Sequence, residues 1–88
     1  MDQYVGQVPE EVDALAAEFE AKAGDLDAIQ AAVTAKLAGT TWTGPDRERF
    51  QGEWDSQLTS VIRQMAEMLR SAGQRASGNA QEQRDVSS

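Results

Sequence analysis

The 88-residue chain predicts an all-α fold, an antiparallel helix-turn-helix hairpin that dimerises into a four-helix bundle. Two stretches repeat large apolar side chains at steps of three, four and seven, the spacing of one helical face, and neither shows the period-two alternation of a strand. A short break of glycine, threonine and proline separates them, and equal arms joined by so short a connection fold back on each other.

The first helix is expected over residues 9–38. Pro9 suits the first helical position, where its fixed φ helps and its missing amide hydrogen costs little, and Glu10, Glu11 and Asp13 favour the positive helix end. Val12, Leu15, Phe19, Leu26, Ile29, Val33 and Leu37 then form one face, flanked by Ala16 and Ala23. Lys22 and Lys36 fall at the edge of this stripe, where their stems cover apolar neighbours while the ammonium groups reach water. Gly24 costs about 1 kcal/mol relative to alanine in a helix interior and reads as a point of close helix approach.

Gly39 stops the pattern and opens the turn, residues 39–45. Pro45 and Asp46 restart a helix as Pro9 and Glu10 do, with Thr43 or Gly44 as the cap, and the second arm is expected over residues 46–75. Its stripe is Phe50, Trp54, Leu58, Val61, Met65, Met68, Leu69 and Ala72, widened by Ile62, and is too broad for one narrow neighbour. Met65 and Met68 read as core before they read as a soft binding surface. Gly73 and the run Ala76-Ser77-Gly78-Asn79-Ala80 weaken the helix, so the hairpin is placed within residues 1–80 and residues 81–88 as a flexible polar tail. A chain this short buries proportionally little surface, and a second hairpin over each exposed stripe completes a bundle.

Charge and composition exclude several functions. Eight basic against fifteen acidic side chains give −7, which opposes nucleic-acid binding, because phosphate backbones need clustered Lys and Arg. Residues 1–38 hold eight acids and two lysines, residues 39–88 seven acids and six arginines, so an acidic arm lies beside a balanced one. The absence of cysteine and histidine removes disulfides, thiolate ligands and the commonest general base, and no metal or other cofactor is expected. Paired carboxylates give no catalytic set: Glu10 with Asp13 fits a helix start, and Asp25 with Asp27 lacks further ligands at a calcium-loop spacing. The sequence therefore reads as a non-enzyme. The start Met1-Asp2-Gln3-Tyr4-Val5 has no basic region before an apolar stretch, so no Sec-type signal peptide is expected. No apolar run approaches the roughly 20 residues of a bilayer-crossing helix, and the negative charge opposes anionic lipid, so membrane association is not expected.

Trp42-Thr43-Gly44, set in a turn between two equal amphipathic arms, resembles the Trp-x-Gly motif of the WXG family, early-secretory-antigen-like helical hairpins exported by type VII secretion systems. Phe50-Gln51-Gly52 with Trp54-Asp55 resembles the aromatic start of that family's second helix, and Leu69-Arg70-Ser71-Ala72-Gly73 its end, so the resemblance covers roughly residues 8–80. It implies a secreted substrate or co-secreted partner, a virulence-type effector, cytoplasmic before export and leaving without a cleavable signal. The partners it implies are a second WXG-family protein, as homodimer or heterodimer, and the type VII secretion ATPase. Trp42 and Gly44 are the first site candidates, because the family's turn contributes to recognition by that ATPase; a ring that caps the bundle end explains Trp42 equally. Val12, Leu15, Phe19, Leu26, Ile29, Val33, Leu37, Phe50, Trp54, Leu58, Val61, Met65 and Leu69 are the expected core of hairpin and dimer.

The departure lies downstream. The family's Tyr-x-x-x-Asp/Glu export motif falls here on Ala76 and Ala80, and the one tyrosine, Tyr4, is at the other end. The chain then lacks the signal, travels with a paired subunit that carries one, or uses a variant. A different class of function is a cytoplasmic adaptor whose stripe binds an unrelated partner helix.

Overall fold

The structure is a computed structural model, and it describes residues 6–87; Tyr4 and the rest of the N-terminal pentapeptide lie outside the described residues. Helix α1 runs Pro9–Ala38 and a turn follows; the second arm is α2, Pro45–Glu53, a π-helical turn, Trp54–Leu58, and α3, Thr59–Ser87. Among the described residues there is no strand. The arms pack antiparallel into a rod of 67 × 18 × 14 Å.

Local chemistry accounts for the helix ends. Pro9 and Pro45 begin their helices, Glu10 and Glu11 lie in the first turn of α1, and Asp46 and Glu48 in that of α2. At the end of α1 the Gly39 amide donates to the Ala35 carbonyl at 3.0 Å, the Thr40 amide to Leu37 at 3.2 Å, and the Thr40 hydroxyl to Lys36 at 2.6 Å, which satisfies carbonyls a helix end leaves free.

The line along which the arms meet is built from small side chains. Ala16 and Ala23 are buried on α1 with Leu37, and Gln30 between them is half-buried; Thr59, Ala66, Gly73 and Ala80 are buried on α3, each seven residues after the last. The repeat of seven keeps one narrow seam facing its partner along both arms. A methyl group built on Gly73 would lie 3.1 Å from the Ala16 carbonyl oxygen and 3.3 Å from Phe19 Cβ, so Gly73 marks the closest approach of the arms and fixes the register.

Three expectations are corrected here. Gly24 is not the point of close approach: nothing lies within 4 Å of a methyl placed there. The second arm does not stop at residue 75, because Ala76 is half-buried and Ala80 buried against α1, and this packing outweighs the weak helix propensity of the Ala76–Ala80 run. Residues 81–87 likewise continue the helix where a flexible tail was expected, and Arg84 reaches back to Asp13 at 2.5 Å.

Candidate functional site

The two long sides of the hairpin differ in chemistry. On one side Arg70 pairs with Asp27 at 2.6 Å and reaches Glu20 at 3.8 Å, and Arg84 pairs with Asp13. Asp13, Glu20 and Asp27 repeat every seven residues, as do Arg63 and Arg70, so acidic and basic rows run side by side. Asp27, first through its hydrogen bond and then through its charge, holds the Arg70 guanidinium above its ordinary value. Charge complementarity between the arms is thus used within one hairpin.

The opposite side is apolar and bare. Of the expected core, Leu37 and Trp54 are buried and Val12, Phe19, Leu26 and Leu69 half-buried, but Leu15, Ile29, Val33, Phe50, Leu58, Val61 and Met65 are exposed, as is Met68 at 70%. Leu15 immediately precedes the seam residue Ala16, Leu58 precedes Thr59, and Met65 precedes Ala66. Antiparallel arms are related by a two-fold axis perpendicular to their common plane, so an equal rotational offset on each turns both rows to the same side. Lys22 interrupts the α1 row, bridging Glu18 at 3.3 Å and Asp25 at 3.6 Å; Glu18 foremost, then Asp25, raise its pKa.

At the turn, Gly44 has φ 112°, a conformation that favours glycine. Trp42, 38% exposed, stacks obliquely on Phe50 with ring centroids 5.7 Å apart. Arg47 donates to the Trp42 carbonyl at 3.1 Å and to Gln51 Oε1 at 3.2 Å, and Gln51 donates to both oxygens of Asp55 at 3.0 and 3.1 Å. This chain of bonds backs an open depression of about 560 Å³ that also meets Trp42, Gly44 and Gly52. On the other side of the indole a smaller one of about 280 Å³ is formed with Val33, Leu37 and Phe50.

Just beyond lies the π-helical turn, in which the Thr59 amide bonds back to the Trp54 carbonyl five residues earlier. The Ser56 hydroxyl donates to Gly52 at 2.6 Å and the Thr59 hydroxyl to Asp55 at 3.0 Å, side-chain competition that loosens regular helical bonding. The wider turn rotates Trp54 into the seam, where it is 7% exposed and its Nε1–H donates to Thr34 Oγ1 at 2.8 Å.

Reasoning from large apolar residues alone overlooks Thr34, Thr59, the Arg47–Gln51–Asp55 network and the small-residue seam. The seven-residue spacing of Ala66, Gly73 and Ala80 is the signal that marks the seam. Ala76 is half-buried and Ala80 buried in the seam with α1, and neither side chain carries a polar group. Among the described residues no cluster of three or more His, Cys, Asp or Glu is placed to hold a metal ion, and no helix is long and apolar enough to cross a membrane. Comparison with family models, curated proteins and solved structures gives no match to the chain.

Proposed function

We propose that the protein is one hairpin of a dimeric four-helix bundle of the WXG kind, exported as a substrate or co-secreted partner by a type VII secretion system. The observation that carries this reading is the bare apolar side, whose rows on both arms face one way while Arg70 and Arg84 on the other side pair with Asp27 and Asp13 within the chain. A layer of two helices with one apolar face is completed by a second such layer. The exposed Trp42, held over Phe50 beside the Gly44 turn, presents the Trp-x-Gly element for recognition by the secretion ATPase, and in a bundle with a second, different family protein that partner supplies the export signal that Ala76 and Ala80 lack.

The test is export from a host that carries a type VII system together with the partner gene. The tagged chain should accumulate in the medium, fall to background when the ATPase is removed, and drop at least several-fold in Trp42→Ala without loss inside the cell. Medium levels that ignore the ATPase would overturn the reading.

A further inference from the structure

Residues 41–43 belong to no helix, and backbone hydrogen bonds stop at Thr40 on one side of them and resume at Gly44 on the other. The seam does not reach this end of the hairpin, because every Cα of α2 lies more than 8 Å from those of α1. Arg47 supplies the missing tie. Its two terminal nitrogens donate in different directions, Nη1 to the Trp42 carbonyl at 3.1 Å and Nη2 to Gln51 Oε1 at 3.2 Å. Gln51 Nε2 donates in turn to both oxygens of Asp55 at 3.0 and 3.1 Å, and the Asp55 carbonyl accepts from the hydroxyl of Thr59, a buried seam residue, at 3.0 Å. Residues 47, 51, 55 and 59 are four apart, so one row of side chains runs along the arm from the turn to the seam. Arg49, two residues on, has a side chain 71% exposed and pairs with Asp46, whereas Arg47 is half-buried and engaged on both nitrogens.

We propose that Arg47 is a positioning residue: it fixes the Trp42 backbone to the second arm and thereby sets the direction in which the exposed indole stands. This deepens the reading of Trp42 as the element that the secretion ATPase recognises, and rests on it. The indole leans on Phe50 at 5.7 Å and borders two open depressions, of about 560 and 280 Å³, so a receptor that encloses the ring must match both. A turn free to swing holds the ring at the matching angle only part of the time, and its apparent affinity falls by that fraction. Lysine is no substitute, because one ammonium lacks the planar fork that reaches two acceptors at a fixed spacing.

The test compares Arg47→Lys and Gln51→Ala with Arg49→Lys as the control. In the wild-type chain, NMR relaxation should give the Trp42 and Thr43 amides order parameters near the rigid value of about 0.85, and in Arg47→Lys they should fall below about 0.6. Gln51→Ala, which leaves the guanidinium without its second anchor, should fall between. The Trp54 amide and the melting temperature should stay those of wild type. Export of Arg47→Lys in the host described above should drop several-fold at an unchanged level inside the cell, and Arg49→Lys should match wild type on both readouts. Order parameters that stay rigid in Arg47→Lys would overturn the tie, and a melting temperature lowered together with export would mark a merely structural residue. A mobile turn with full export, where Trp42→Ala is retained in the cell, would overturn the positioning role and leave the proposed function standing. Full export of Trp42→Ala as well would remove the reading underneath, and the proposal with it.

Discussion

Replacing Gly73 by alanine probes how closely the arms approach, and Gly78→Ala is its control. Both glycines lie inside α3, so each substitution gains about 1 kcal/mol of helix propensity. The surroundings differ. Nothing lies within 4 Å of a methyl at Gly78, whereas at Gly73 it meets the Ala16 carbonyl oxygen at 3.1 Å and Phe19 Cβ at 3.3 Å. Both of those atoms are fixed to the backbone of α1, so relief requires the helices to separate. Overpacking of this kind costs about 1–3 kcal/mol, which cancels or exceeds the propensity gain. Gly78→Ala should therefore raise the melting temperature by about 4–8 °C, and Gly73→Ala should leave it unchanged or lower it. Melts followed by circular dichroism at one protein concentration decide the matter. Equal increases for the two variants would refute the close-packed seam.

Trp54→Ala should cost about 3–5 kcal/mol, because it empties a buried position beside Thr34, and a melt equal to wild type would contradict that placement. Trp54→Phe keeps most of the packing and loses the hydrogen bond to Thr34, for about 0.5–1.5 kcal/mol in urea unfolding. Arg84→Ala removes the tie between the end of α3 and Asp13; the cost in global stability is about 0–1 kcal/mol, but helicity should fall as residues 81–87 fray, which far-ultraviolet dichroism reads. Lys22 gives a pH signature. Its pKa is raised in the fold by Glu18 and Asp25, so its contribution is present below the unfolded value near 10.5 and is lost as pH rises through the folded value. Lys22→Gln should flatten that alkaline loss in melts recorded across the range.

The helix starts at Pro9 and Pro45 and the turn at Gly44 are legible because they depend on local chemistry: fixed φ, acidic first turns, and a backbone angle that favours glycine. The extent of α3 is not, because Ala76 and Ala80 are held by α1, and no window around residue 80 carries that contact. The stripe of large apolar residues is legible, but it marks mostly the open side; the arms meet through alanine, glycine and threonine, which side-chain size alone passes over. The burial of Trp54 depends on the π-helical turn, whose cause lies in two hydroxyl bonds, from Ser56 and Thr59, and not in any apolar period. The exposure of Trp42 and its contact with Phe50 follow from its place in the turn, ahead of the aromatic start of the second arm.

The central claim, that the apolar side is covered by a second hairpin, is tested most directly by light scattering on the purified chain, with helicity recorded on the same sample from micromolar to hundreds of micromolar. A helical species of twice 9.5 kDa is expected, with a melting temperature that rises with concentration. A fully helical 9.5 kDa monomer that melts cooperatively at every concentration would contradict it, because the bare side would then need no cover.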